Sequence, residues 1–377
     1  MKKNFTTFML LLIATILVIG IGVLGGAMYL DLVKEEEKTY QIGNIAVEQP
    51  IQEKNISAET QKTNISEIIQ GTENQANSQS KEENQTNSNN SINNFFYNQL
   101  VGNQKAIYDK LLENKQNLRQ GNYVINYGNA FSTTLSQENG GEQLGQDYQT
   151  AVEAFTHDNP DLFYLDVNKM YLNIETKTKF LRTTYNVFIS AAQGATYLAD
   201  DFSDVNDIEN SINQIENIKN NIIKNLKGND YKKIMTIHDY LVDNCEYDST
   251  YKAKGSYSVY GALIGKTCVC EGYAKAFKYL ANEANIKCEI MQGTATNSSG
   301  QTESHAWNCV KIDGTWYLVD PTWDDPIVVG RIYKGSQFKY KYFLKGTNTF
   351  NKDHELSYQF SENGKKFEYP TISKNDY

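Results

Sequence analysis

Three observations predict an α+β fold with an antiparallel sheet. An Asp313-Gly314 pair sits between two alternating runs in SHAWNCVKIDGTWYLVDPTW, and a tight hairpin turn needs the positive φ that Asp and Gly tolerate. Several other stretches place apolar residues at three-, four- and seven-residue steps, the spacing of amphipathic helices. An apolar N-terminus followed by a polar, Asn- and Gln-rich stretch confines the folded body to residues 95–377.

Residues 1–7 carry Lys2 and Lys3 ahead of the uncharged run Phe8–Leu30. That run is long enough to span a bilayer as one helix, and the lysines favour the cytoplasmic side, so the chain after Asp31 is expected to face outward. A cleaved signal peptide, with GGA at 25–27 as its small-residue site, is the other reading. Residues 31–94 are dominated by Asn, Gln, Ser, Thr and Glu and have too little apolar surface to offset chain entropy, which predicts a disordered tether.

From Phe95 the apolar content returns. Phe96, Leu100, Ile107, Leu111 and Leu118 follow a near-helical spacing, and MYLNIET and RTTYNVFI alternate as paired strands should, giving a mixed α/β subdomain over 95–205. A long helix is predicted next from Ile208, Ile212, Ile215, Ile222 and Leu226, ended by Gly228 and Asn229. YKKIMTIHDYLVDN reads as another helix, with Asp230 placed to cap it. SVYGALIG reads as a turn or short helix. The stripe Tyr273, Phe277, Leu280, Ala281 and Ala284 predicts a helix starting near Cys270, and IKCEIMQG a half-buried strand ahead of the hairpin.

A net charge of -9 gives no basic field to draw the chain onto nucleic acid. Five cysteines are too few over 377 residues for a disulfide scaffold, and an odd number in an exported chain leaves at least one free thiol.

Cys270 is the cysteine to which the sequence gives chemistry. At a helix start its sulfur meets unpaired backbone N–H groups and the positive end of the helix dipole, both of which favour the thiolate. Cys268 lacks that position and reads as a small buried hydrophobe. A nucleophile needs a base and the base an orienting group. With a two-residue turn, Ile312 opposes Thr315 and Trp307 opposes Asp320, which makes His305 the diagonal neighbour of Asp320 on one face. A three-residue turn would move Asp320 to the other face. Each residue alone has an ordinary structural reading; together Cys270, His305 and Asp320 meet the logic of nucleophile, base and orienter. A metal held by Cys268, Cys270 and His305 is disfavoured, since structural zinc cysteines usually lie two to four residues apart and a fourth ligand is missing. His238, beside Asp239, reads as a buried hydrogen-bonded residue, and His354 has no partner that the sequence names. The tyrosines, 26 in all, could line a peptide or glycan groove, and a mixed core and surface role is the more ordinary account.

VCEGYAKAF and SHAWNCVKIDGTWYLVDPTWDD resemble the transglutaminase-like superfamily in order, spacing and flanks, over roughly Tyr231 to Asp325, with IHDYLVDNCEYD similar to that family's upstream helix. The resemblance implies a papain-like core within a catalytic domain of residues 206–377 (core 231–325), a helix packed on an antiparallel sheet. It implies Cys270 as nucleophile, His305 as base and Asp320 as orienting acid. The family's animal cross-linking members use calcium, but no acidic loop at suitable spacing stands here, and no cofactor or metal is expected. The chain then reads as a membrane-anchored, outward-facing cysteine enzyme acting on protein or peptide amide bonds at the cell envelope through a thioester. Its acceptor is an amine or water; the alternative is a non-catalytic surface module that binds peptide or wall glycan in the same cleft.

Overall fold

The Asp313-Gly314 turn does what its chemistry predicts: both residues take positive φ, and it joins β8 (Thr302–Ile312) to β9 (Thr315–Val319) in the two-residue register, Ile312 opposite Thr315 and Asn308 opposite Val319. The computed structural model describes residues 36–43, 94–325, 339–357 and 367–377. Phe8–Leu30 and most of the expected tether lie outside these. No helix among the described residues is long and apolar enough to cross a membrane.

The expectation that 31–94 is structureless needs one correction. Glu36–Gly43 forms strand β1, antiparallel to β3 (Tyr171–Lys179), with Tyr40 opposite Ile174 and Ile42 opposite Leu172. Its TYQI core alternates as a strand should, and Ile42 lies against the bare backbone of Gly145, where a Cβ would come within 3.2 Å of it. The sheet runs β1-β3-β4-β2, with β4 at Arg182–Ser190 and β2 at Ile125–Gly128, and the two predicted strands pair as its centre.

Around this sheet stand α1 (Asn103–Glu113), the short α2 (Ser132–Leu135) and α3 (Gly140–Asp158). The five apolar residues from Phe96 to Leu118 are all buried. Helix α3 was not predicted. Asp158 at its end accepts hydrogen bonds from the Phe96 and Tyr97 amides at 3.1 and 2.9 Å, which ties the start of the body to this helix.

Next come α4 (Val205–Asn225) and α5 (Asp230–Asn244), the predicted amphipathic pair. The cap of α5 is Asn229, whose side chain accepts from the Lys232 amide, and Asp230 is the first helical residue. The shift by one residue follows from Gly228, whose φ of 89° ends the preceding segment and leaves Asn229 extended. Two short parallel strands, β5 (Glu246–Tyr247) and β6 (Thr267–Cys268), then lead into α6 (Cys270–Glu283).

Helix α6 packs on the second sheet, ordered β10-β7-β8-β9, where β7 is Cys288–Thr296 and β10 is His354–Leu356. On one face of this sheet Ala274 of α6 meets Ile290 and Ala306, and Asn308 Nδ2 donates to the Ala274 carbonyl at 3.0 Å. Met291, Trp307, Cys309 and Leu318 form a second cluster with Tyr342 and Phe350 from the C-terminal segment. The helix-on-antiparallel-sheet arrangement therefore holds. The expected division near residue 205 separates elements but not cores, because one buried cluster runs from Phe96 to Phe367 through both parts.

Candidate active site

Cys270 is the first residue of α6, and Val269 before it is extended and offers no side-chain cap, so the first turn has no capping acceptor. Of the five cysteines Cys270 alone is not buried. Its side chain rests on Ala274, Ile290 and Ala306, against the two central strands of the sheet that carries His305.

His305 stands on β8 opposite Gly293 of β7. Its Nε2 lies 2.8 Å from Asp320 Oδ2. The predicted diagonal is thus closed by a hydrogen bond, although β9 stops at Val319 and Asp320 is not a strand residue. Asp320 caps α7 (Pro321–Asp324): its Oδ1 accepts from the Thr322 and Trp323 amides at 3.0 and 3.2 Å. One carboxylate thereby fixes a turn with one oxygen and an imidazole with the other.

His354 is the residue that sequence reasoning missed. It opens β10, is 3% exposed, and brings its Nε2 to 3.2 Å from the same Asp320 Oδ2, while its Nδ1 sits 2.8 Å from Asp353 Oδ1. Phe350 and Trp323 hold its ring, with centroids at 4.1 and 4.5 Å. Strand β10 reaches this place because Gly293 has no side chain: a Cβ there would lie 2.0 Å from the Glu355 carbonyl and 2.8 Å from the Trp307 ring.

Burial alone would drive the His305 pKa down. The charge and hydrogen bond of Asp320 outweigh it, the Cys270 side chain adds to the rise, and the imidazole ends at about 10. Burial likewise pushes Asp320 upward, but His305 and then His354 hold its carboxyl well below the usual carboxylate range. The site is therefore built to keep an imidazolium beside a carboxylate.

His238 is the buried, hydrogen-bonded residue the sequence suggests: 0% exposed, with Nδ1 3.2 Å from Asp239 and Nε2 3.1 Å from Asp324. It stays outside the Cys270 cluster but braces α7, the helix that Asp320 caps. Cys268 is fully buried and points at Cys245, with sulfurs 3.2 Å apart, which removes it from any shared site with Cys270 and His305. The donor atoms of His305, Asp320 and His354 lie within 4.8 Å of one another, close enough to hold a cation, and the two imidazole–carboxylate hydrogen bonds account for the same proximity.

Residues 216–321 match the family model of the transglutaminase-like superfamily, a stretch that contains Cys270, His305 and Asp320 and stops short of His354. The chain is 29% identical over 138 residues to kyphoscoliosis peptidase of Mus musculus and of Homo sapiens, covering 33% of this chain and 21% of each relative's length. Among solved structures, a transglutaminase overlaps 42% of this chain and 46% of its own, at 11% identity and a TM-score of 0.30. The periplasmic domain of TgpA from Pseudomonas aeruginosa overlaps 42% and 74%, at 14% identity and a TM-score of 0.24.

Proposed function

We propose that the transglutaminase-like domain of residues 216–321 is a cysteine acyl-transfer enzyme acting on protein or peptide amide bonds, with Cys270 as nucleophile, His305 as acid and base, and Asp320 as orienter. The observation that carries this reading is the 2.8 Å bond from His305 to a buried, fully hydrogen-bonded Asp320, on the strand against which Cys270 opens α6. Its Nε2 is spent on Asp320, so Nδ1 is the atom that exchanges a proton with the Cys270 sulfur.

In the first half-reaction the Cys270 sulfur attacks the amide carbonyl while the uncapped amide at the start of α6 receives the developing oxyanion. The His305 imidazolium gives its proton to the departing nitrogen, which leaves as ammonia or an amine, and a thioester remains. In the second half, His305 takes a proton from the incoming acceptor, which attacks the thioester and frees Cys270. An amine acceptor yields a new amide bond and water yields an acid; both run through the same three side chains. Phe8–Leu30 would hold the domain at the outer face of a membrane, where envelope proteins and peptides are its substrates.

Alkylation of the full-length protein with iodoacetamide from pH 5 to 9, followed by peptide mapping, tests this. Cys270 is expected to be labelled at the acid end in wild type and to lose that acid-end labelling in His305→Ala. Mass analysis of products with and without added amine then separates the two acceptors. An acid-end rate that is the same in both proteins would sink the reading and leave a surface module that binds peptide or glycan.

A further inference from the structure

Two of the five cysteines face each other outside the candidate active site. Cys245 caps the end of α5 and Cys268 ends β6; their sulfurs are 3.2 Å apart and both side chains are buried. The backbone brings them together without help from sulfur. Strands β5 and β6 pair in parallel, the Glu246 amide donates to the Lys266 carbonyl at 2.9 Å and the Asp248 amide to the Cys268 carbonyl at 3.0 Å. Room for the Cys268 sulfur is kept by Gly272, where a Cβ would lie 3.0 Å from that atom.

We propose that Cys245 and Cys268 form a disulfide when the chain meets a disulfide oxidant, and that the bond locks the strand delivering Cys270 to α6. A disulfide needs the sulfurs at about 2.05 Å, and although the register sets the two residues diagonally, with Cys268 opposite Tyr247, their side chains already bring the sulfurs to 3.2 Å. Rotation about the side-chain bonds closes the remaining ångström. The pair is also poised for exchange. The hydrogen bond from Cys268 lowers the Cys245 thiol pKa, with Tyr273 and Lys266 acting in the same direction against burial and the Asp325 charge, while burial raises Cys268 well above the ordinary thiol. Cys245, with Val242, Asp243 and Lys266, lines a recess of about 320 Å³ on the outer side of the pair.

The chemistry balances with a low-molecular-weight disulfide, RSSR. The Cys245 thiolate attacks one sulfur and expels RS⁻, leaving a mixed disulfide on Cys245. The Cys268 thiol gives its proton to the expelled thiolate, attacks the Cys245 sulfur and releases a second RS⁻, which is protonated by solvent. Two electrons pass from the cysteines to RSSR, which leaves as two RSH. Cys270 takes no part, because Cys268 is turned away from it toward Cys245. The proposal stands apart from the acyl-transfer reading, since a staple at this position is formed whether or not Cys270 is a nucleophile.

The test uses the full-length protein, incubated with oxidised or reduced glutathione, unfolded, alkylated and digested without reduction. In the oxidised sample a cross-linked pair of peptides should carry Cys245 and Cys268, with Cys270, Cys288 and Cys309 alkylated, so that free thiols fall from five to three. Cys268 and Cys270 share one tryptic peptide, and the Cys270→Ser protein, which should give the same cross-link, fixes the assignment. Closing this loop is expected to raise Tm by roughly 5–10 °C, reversed by dithiothreitol. A Cys268–Cys270 link, a glutathione adduct that persists on Cys245, or five alkylated cysteines after oxidation would each overturn the proposal.

Discussion

Replacing Asp320 by Asn tests the electrostatics of the site with little change of shape. The Asn carbonyl can take over Oδ1 and go on accepting from the Thr322 and Trp323 amides, but an NH2 group then faces both imidazoles where Oδ2 stood. Each Nε2 must become an acceptor, which leaves His305 neutral with its proton on Nδ1, the nitrogen that should receive the proton of Cys270. In the wild type the gap between 6.5 for a free imidazole and about 10 for His305 corresponds to something on the order of 5 kcal/mol in favour of the charged ring. Without the carboxylate, burial still lowers the ring's pKa and only the Cys270 side chain still raises it, so the imidazole should shift strongly toward its neutral form. The wrong tautomer should cut acyl transfer by roughly 10³–10⁴. The sign for stability follows from linkage: a raised His305 stabilises the fold fully below pH 6.5, and that contribution disappears as pH rises toward 10. The Asp320 contribution is present above pH 3.8 and is lost on acidification below it. The Tm deficit of Asp320→Asn should therefore be largest between about pH 4 and 6.5 and shrink by pH 9. Histidine NMR titration and thermal melts at pH 5, 7 and 9 are the assays. A deficit constant across that range, or a His305 that titrates at the same pH in both proteins, would refute the reasoning.

Three further outcomes follow from the packing. His354→Phe keeps an aromatic ring against Phe350 and Trp323 and removes one hydrogen bond to Asp320; a fall of roughly tenfold in the acid-end labelling rate of Cys270 is expected, with a stability loss of about 1 kcal/mol in urea melts. Gly293→Ala drives a methyl into the Glu355 carbonyl and should detach β10, seen as loss of slow amide exchange at Glu355 and Leu356 together with lower activity. The Lys278–Glu289 pair is buried at 2.5 Å, so Lys278→Met should cost about 3–5 kcal/mol in denaturant unfolding, and the double change with Glu289→Met should recover most of it.

The hairpin, the helix start at Cys270 and the meeting of His305 with Asp320 were legible because each rests on local rules: a turn dipeptide that favours the two-residue register, strict alternation, and a helix start. What the sequence hid depends on distant neighbours. Leu144, Tyr148, Ala151, Val152 and Phe155 carry the helical spacing of α3 and are all buried, but Gly140, Gly141 and Gly145 weaken the propensity signal around them. Those at 140 and 145 answer to contacts, since a Cβ at 140 would strike the Thr134 carbonyl and one at 145 would crowd Ile42. Strand β1 is short, sits among polar residues and finds its partner 132 residues away, as the Gln41–Asn173 hydrogen bond shows. His354 gains its role only through β10 pairing with β7, which no short-range pattern around it announces.

Strand β1 also changes the length of the leash. If Phe8–Leu30 lies in a membrane, the chain between Leu30 and Glu36 reaches at most about 20 Å when fully extended, because residues 36–43 are already stitched to β3. Residues 44–93 then add nothing to that reach: they leave the body at Gly43 and return to it at Asn94. A protease cut within 44–93 would then leave the body moored by the β1–β3 hydrogen bonds instead of setting it free.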